Sequence, residues 1–141
     1  MIEKYAGGKV PERPAAKSPF ARGAAEEFLP RLSALLRRDR PDETLELLLS
    51  HADRANRFIE ERKPWELAKK NETGTLLETL YELAEFLRIL AIAAEPFLPA
   101  VVLKMRESLA GAAGNGPALA WGGLEPGRPL KRGAVLFPRI E

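Results

Sequence analysis

One stretch of the chain concentrates side chains able to do recognition chemistry: Asp53-Arg54-Ala55-Asn56-Arg57-Phe58-Ile59-Glu60-Glu61-Arg62-Lys63-Pro64-Trp65. Trp65 stands just past a helix break, where an indole can lie half-buried with one face open. Flanked by Arg57, Arg62 and Lys63, that face can stack an unpaired base; the competing reading is a core tryptophan that closes the corner. On a helical wheel Asn56 falls inside the apolar stripe, near Leu45 and Ala52, with Asp53 and Glu60 on one edge and Arg57 just beyond. An amide among leucines costs stability unless it is hydrogen-bonded. Asn56 is therefore either a bridge to a neighbouring turn or part of a site.

Other chemistry has little to work with. The chain has no Cys and a single His, His51. That excludes a disulfide framework, a thiol nucleophile, a zinc knuckle and a His-based metal cage, and leaves a Ser-His-Asp site without support. His51 is expected on the side of its helix away from the apolar stripe, as a solvated or rim residue. Glu78, Glu82 and Glu85 form a narrow polar stripe with no second carboxylate helix to complete a di-metal site, and are expected to face solvent. The run Arg37-Arg38-Asp39-Arg40 reads as a solvated helix C-terminus favoured by the dipole, with contact to a nucleic-acid backbone the alternative.

The elements that must position these residues are helices. Residues 24–38 place Phe28, Leu32, Leu35 and Leu36 at helical spacing, with Pro30 tolerable only near the start. Arg40-Pro41-Asp42 breaks the chain, and Asp42 is a candidate cap for the next helix. That helix carries Leu45, Leu48, Leu49, Ala52, Ala55 and Ile59 on one stripe and runs to Lys63, where Pro64 ends it. Pro64 then opens a short helix through Lys70, and Asn71-Glu72-Thr73-Gly74 is a turn. Residues 75–95 turn Leu76, Leu80, Leu83, Ala84, Leu87, Ala91 and Ala94 inward, and Ile89 and Ile92 make their second half apolar all round. Pro96 and Pro99 stop that helix. A last one, 100–109, buries Val102, Met105 and Leu109. The expected fold is all-α, an antiparallel bundle of four to five helices with extended N- and C-terminal segments. Residues 6–23 read as an extended connection and 110–134 as a Gly/Pro-rich loop; the tail, apolar at alternate positions over 134–140, is suited to packing on the bundle or on a partner domain.

Composition fits that division. The 141 residues are 30% charged and 45% hydrophobic, a globular balance for one domain. Ten of the 11 glycines lie outside 24–109. No apolar run reaches the roughly 18 residues of a membrane span, and the N-terminus has no signal-peptide pattern, so a cytoplasmic protein is expected. Net charge is +2. Residues 1–23 hold five Lys/Arg against two Glu, 110–141 hold four against two, and the middle holds 13 against 16 acidic residues. A broad basic field is not the means by which this chain would hold a nucleic acid.

The run ANRFIEERKPWELAKK (55–70), a leucine-rich helix, AEPFLP (94–99), a Gly-rich loop with Trp121 and a terminal LFPRIE together resemble the C-terminal anticodon-binding domain of bacterial methionyl-tRNA synthetase. The opening MIEKYAGGKVPE resembles the segment that leads into it. The resemblance covers nearly the whole chain in order. Its most specific parts are Ala55-Asn56-Arg57 followed by Lys63-Pro64-Trp65, and Leu136-Phe137-Pro138-Arg139-Ile140.

The resemblance implies a class I synthetase bundle that reads the CAU anticodon of tRNA(Met), far from a catalytic domain that precedes it and uses ATP, with zinc a further candidate there. It divides the chain into a connector from that domain (1–23), the bundle (24–109) and a loop with tail (110–141). It implies that Trp65 stacks on an anticodon base, that Arg57, Arg62 and Lys63 hold nearby phosphates, and that Asp53, Asn56, Glu60 and Pro64 shape the pocket. Neither DNA nor a membrane is among the implied partners. An upstream Asn/Arg pair expected to share the site precedes the segment matching Met1. The catalytic HIGH and KMSKS signatures are not found, and Lys104-Met105-Arg106-Glu107-Ser108 matches the second only by chance. The alternative is a freestanding helical module, binding tRNA or protein, with no role in aminoacylation.

Overall fold

The computed structural model describes residues 1–109 and 119–132. After the short α1 (Ile2–Tyr5), a helical run over 19–37 consists of α2 (Pro19–Arg22), a π-helical segment (Gly23–Phe28) and α3 (Leu29–Arg37). Two long helices follow, α4 (Pro41–Arg62) and α6 (Thr73–Ala94), linked through the short α5 (Pro64–Lys69), and α7 (Pro99–Leu109) closes the bundle. Helix α6 is central: α4, α5 and α7 all pack on it, and α3 packs on α4. The all-α bundle is the one expected. The tail at 134–140 and residues 110–118 and 133–134 of the Gly/Pro-rich loop lie outside the described residues.

The first helical run begins earlier than its apolar spacing suggests. Ser18 caps α2 by accepting from the Ala21 amide at 3.2 Å, and Pro19 occupies the first helical position. Residues 19–22 are thus helical rather than extended. Pro30 sits well inside the run because the wide turn at Gly23–Phe28 precedes it. In that turn the Leu29 amide bonds five residues back, to the Ala24 carbonyl, and so the missing proline donor breaks no regular α ladder. Asp42 does not cap α4. Arg40 is the cap residue, Pro41 takes the first position, and Asp42 and Glu43 lie in the first turn, each paired with Arg40.

Four phenylalanines from three parts of the chain form the centre of the core. The rings of Phe20 and Phe58 stack at 4.4 Å, and Phe86 meets Phe20 edge-on at 5.4 Å and Phe28 at 5.8 Å. Leu32, Leu35, Leu47, Leu48 and Ile89 surround them. The buried face of α4 is therefore Thr44, Leu47, Leu48 and Phe58, about one residue earlier on the wheel than the leucine count predicts. Leu45 and Leu49 face outward, Leu49 being 60% exposed. His51, expected as a solvated or rim residue, is partly buried at the rim and lies 4.4 Å from the Phe28 ring. Burial lowers its pKa below the ordinary 6.5; Arg54 and Arg31 lower it further, and the Leu47 carbonyl and Glu27 oppose.

The acidic stripe of α6 is not a solvated face. Glu78 is exposed, but Glu82 and Glu85 are only 3% and 0% accessible. Glu82 accepts from the Ser18 amide at 3.0 Å and the Ser18 hydroxyl at 2.5 Å. Glu85 accepts from three consecutive amides, Gly122, Gly123 and Leu124, at 2.8–2.9 Å, and pairs with Arg88 at 2.7 Å. Arg88 in turn donates to the Ala120 carbonyl at 2.6 Å. Glycine is required at 123, where a Cβ would lie 2.5 Å from the Arg88 guanidinium carbon. Leu87, expected inside, is exposed; it lies with Leu83 and Ala84 along an open cleft bordered by Met1, Ile2 and Leu130.

The non-helical segments pair with each other across the middle of α6. The Val10 amide donates to Arg128, and the Leu130 amide to Gly8, both at 2.8 Å, in antiparallel fashion. Val10, Tyr81, Ala84 and Leu124 bury a second small core beneath them. Arg13 donates to the Tyr81 hydroxyl at 3.1 Å and to the Gly122 carbonyl. Burial raises the Tyr81 pKa against the opposing effect of Arg13.

Glu85→Gln is expected to destabilise the fold by about 3–5 kcal/mol, because Arg88 is left buried beside a neutral amide. Denaturant unfolding measures the loss, and amide exchange at 122–124 should accelerate selectively. The His51 shift gives stability that is complete above the unfolded value of 6.5 and declines as pH falls from there toward the folded value. Wild type should therefore lose more thermal stability than His51→Phe between pH 7 and 5.5, as measured by paired melting curves.

Candidate nucleic-acid interface

With Phe58 and Leu48 turned inward, the opposite face of α4 carries Asp53, Asn56, Arg57 and Glu60, all exposed. They share one face, as the wheel expected, but Asn56 is not embedded among leucines and bridges to no turn. Among the described residues, none of the four makes a side-chain hydrogen bond or ion pair. Their donors and acceptors are available to an incoming ligand.

The helix ends in a constrained corner. Lys63 adopts a left-handed conformation, φ 44°, ψ 64°, and its amide donates back to Ile59 at 2.8 Å. Pro64 at the first position of α5 is fully buried, so its part is to hold the corner rather than to touch a ligand. Trp65 follows it outward with 43% of its surface exposed, which discards the reading of a core tryptophan. Trp121 differs: it packs half-buried against the main core. Lys63 pairs with Glu66 at 3.4 Å on the surface. Arg62 is half-buried, its guanidinium 5.5 Å from the centre of the Phe58 ring.

Between α2 and the C-terminal half of α4 lies an open cleft of about 560 Å³, lined by Arg54, Arg57, Glu61 and Arg62 with Phe20 and Phe58 beneath. Arg57 belongs to both this cleft and the exposed face. Sequence reasoning passed over Arg54 and Phe20. The signal was there in the spacing of Arg54, Arg57 and Glu61 beside Phe58, but it emerges only once Phe58 is known to point inward.

No family model matches the chain. Over its whole length it is 37% identical to the methionine–tRNA ligase of Deinococcus radiodurans and 35% identical to that of Caldanaerobacter subterraneus. It spans about a fifth of those relatives, 21% and 23% of their lengths, at their C-terminal portion. The fold superimposes on the apo methionyl-tRNA synthetase of Mycobacterium tuberculosis with a TM-score of 0.83, at 26% identity, over 100% of this chain and 30% of that one. The chain belongs with the C-terminal domains of the methionyl-tRNA synthetases. Within this synthetase domain no helix of the described residues is long and apolar enough to cross a membrane, and no group of three or more acidic or histidine side chains is placed to hold a metal ion.

The corner of the synthetase domain stores backbone strain at Lys63, since a left-handed conformation costs a non-glycine residue about 1–2 kcal/mol. Lys63→Gly is expected to raise stability by up to about 1 kcal/mol, whereas Lys63→Val should lower it by about 1–2 kcal/mol. Urea unfolding of the two variants beside wild type measures both.

Proposed function

We propose that this chain is the anticodon-reading domain of a methionine–tRNA ligase, and that Trp65 stacks on a base of the CAU loop of tRNA(Met). The whole enzyme would join methionine to its tRNA with ATP in a catalytic domain, in the cytoplasm; the partners of this chain are then the anticodon loop and that catalytic domain. ATP and any zinc would be held by that domain.

The observation that carries the reading is the exposed indole of Trp65 at a rigid corner, next to a helix face of unpartnered polar groups. Unpaired loop bases can be splayed out, stacked on aromatic rings and read along their edges. Asn56 offers both a donor and an acceptor to a base edge, Asp53 and Glu60 offer acceptors, and Arg57, Arg62 and Lys63 supply local cations for phosphates. Pro64 supports the arrangement from beneath.

Trp65→Ala should weaken binding of a CAU stem-loop by about 1–3 kcal/mol and reduce discrimination against a scrambled loop. Fluorescence anisotropy titration of both proteins with both loops checks this. Equal affinities for wild type and variant would sink the stacking role.

A further inference from the structure

We propose that the cleft between α2 and α4 is a phosphodiester-binding channel that carries the RNA strand away from the Trp65 face. The proposal rests on the anticodon reading for the identity of the strand, but its own support is separate. Three guanidiniums, Arg54, Arg57 and Arg62, line a cleft of about 560 Å³ against the single carboxylate of Glu61. Glu61 forms no ion pair with them, and Arg57 and Arg62 have none among the described residues. Arg54 and Arg57, like charges one turn apart, repel by a few tenths of a kcal/mol, and with Arg54 alone ion-paired among the described residues, to Glu27, the excess of positive charge in the cleft suits an anionic ligand.

The guanidiniums are also placed. Arg54 lies against Gly23, where a Cβ would come within 2.7 Å of its Nη2. It is steadied at long range by Glu27 at 3.7 Å and His51 Nε2 at 3.4 Å. Arg62 rests on the face of Phe58, which is itself stacked on Phe20. A planar fork held over an aromatic floor meets a phosphate with two parallel donors, and the volume admits a nucleotide-sized group. Arg57, which lies on the exposed face and in the cleft at once, makes the two continuous, so that one strand can pass from stacked base to bound phosphate.

The test measures affinity and its salt dependence for the CAU stem-loop and the scrambled loop with identical flanks, for wild type, Arg54→Gln, Glu61→Gln and Trp65→Ala. Arg54→Gln should weaken both loops equally, about three- to tenfold, and reduce the salt slope by about one. Glu61→Gln should tighten both, a gain that loss of folding cannot imitate. If both cleft variants leave affinity and slope unchanged while Trp65→Ala still removes discrimination, the channel is overturned and the anticodon reading stands. If Trp65→Ala changes nothing while the cleft variants act as stated, the channel stands and the anticodon reading falls. Absence of RNA binding by wild type overturns both.

Discussion

A fully buried carboxylate organises this domain. Glu85 sits on the central helix and answers three backbone amides in a row, so a loop with no secondary structure of its own acquires a fixed path across α6. Alone, such a charge in the interior would be prohibitively costly; with Arg88 beside it and every lone-pair direction used, it is matched. Glu82 does the same for Ser18 one turn away. From these two anchors follow the start of α2, the position of Phe20 over Phe58, and hence the rotation of α4 that decides which of its residues meet solvent.

That chain of dependence decides what a domain of small net charge exposes at the proposed nucleic-acid surface. Of its 22 Lys and Arg residues, Arg54, Arg57, Arg62 and Lys63 gather where α4 meets α2 and α5, while Glu82 and Glu85 are buried in the interior. Local cations at short range are less weakened by salt than a diffuse field, and aromatic stacking does not depend on charge at all.

The helices were legible from spacing, proline and capping signals, and Trp65 at its corner was legible from the Lys63-Pro64 break. Two things were not. Thr44 and Phe58 outcompeted Leu45 and Leu49 for the inside of α4, because the core is built around four aromatic rings whose positions depend on a distant helix. Counting leucines could not supply that. Glu82 and Glu85 were misread as solvated because a glutamate's partners here are backbone amides, which carry no signature in residue type. The glycines at 122 and 123 are the trace they leave: one at positive φ, the other pressed against Arg88.

The corner at Lys63 has a bearing on kinetics. A residue locked in a left-handed well and followed by a buried proline leaves the Trp65 backbone almost no alternative states to lose when a base arrives. In the proposed complex the ordering cost of association then falls on the nucleic-acid loop rather than on the protein. Differences in dwell time among loop sequences would accordingly reflect how readily each loop unstacks, with the tryptophan acting as a fixed anvil.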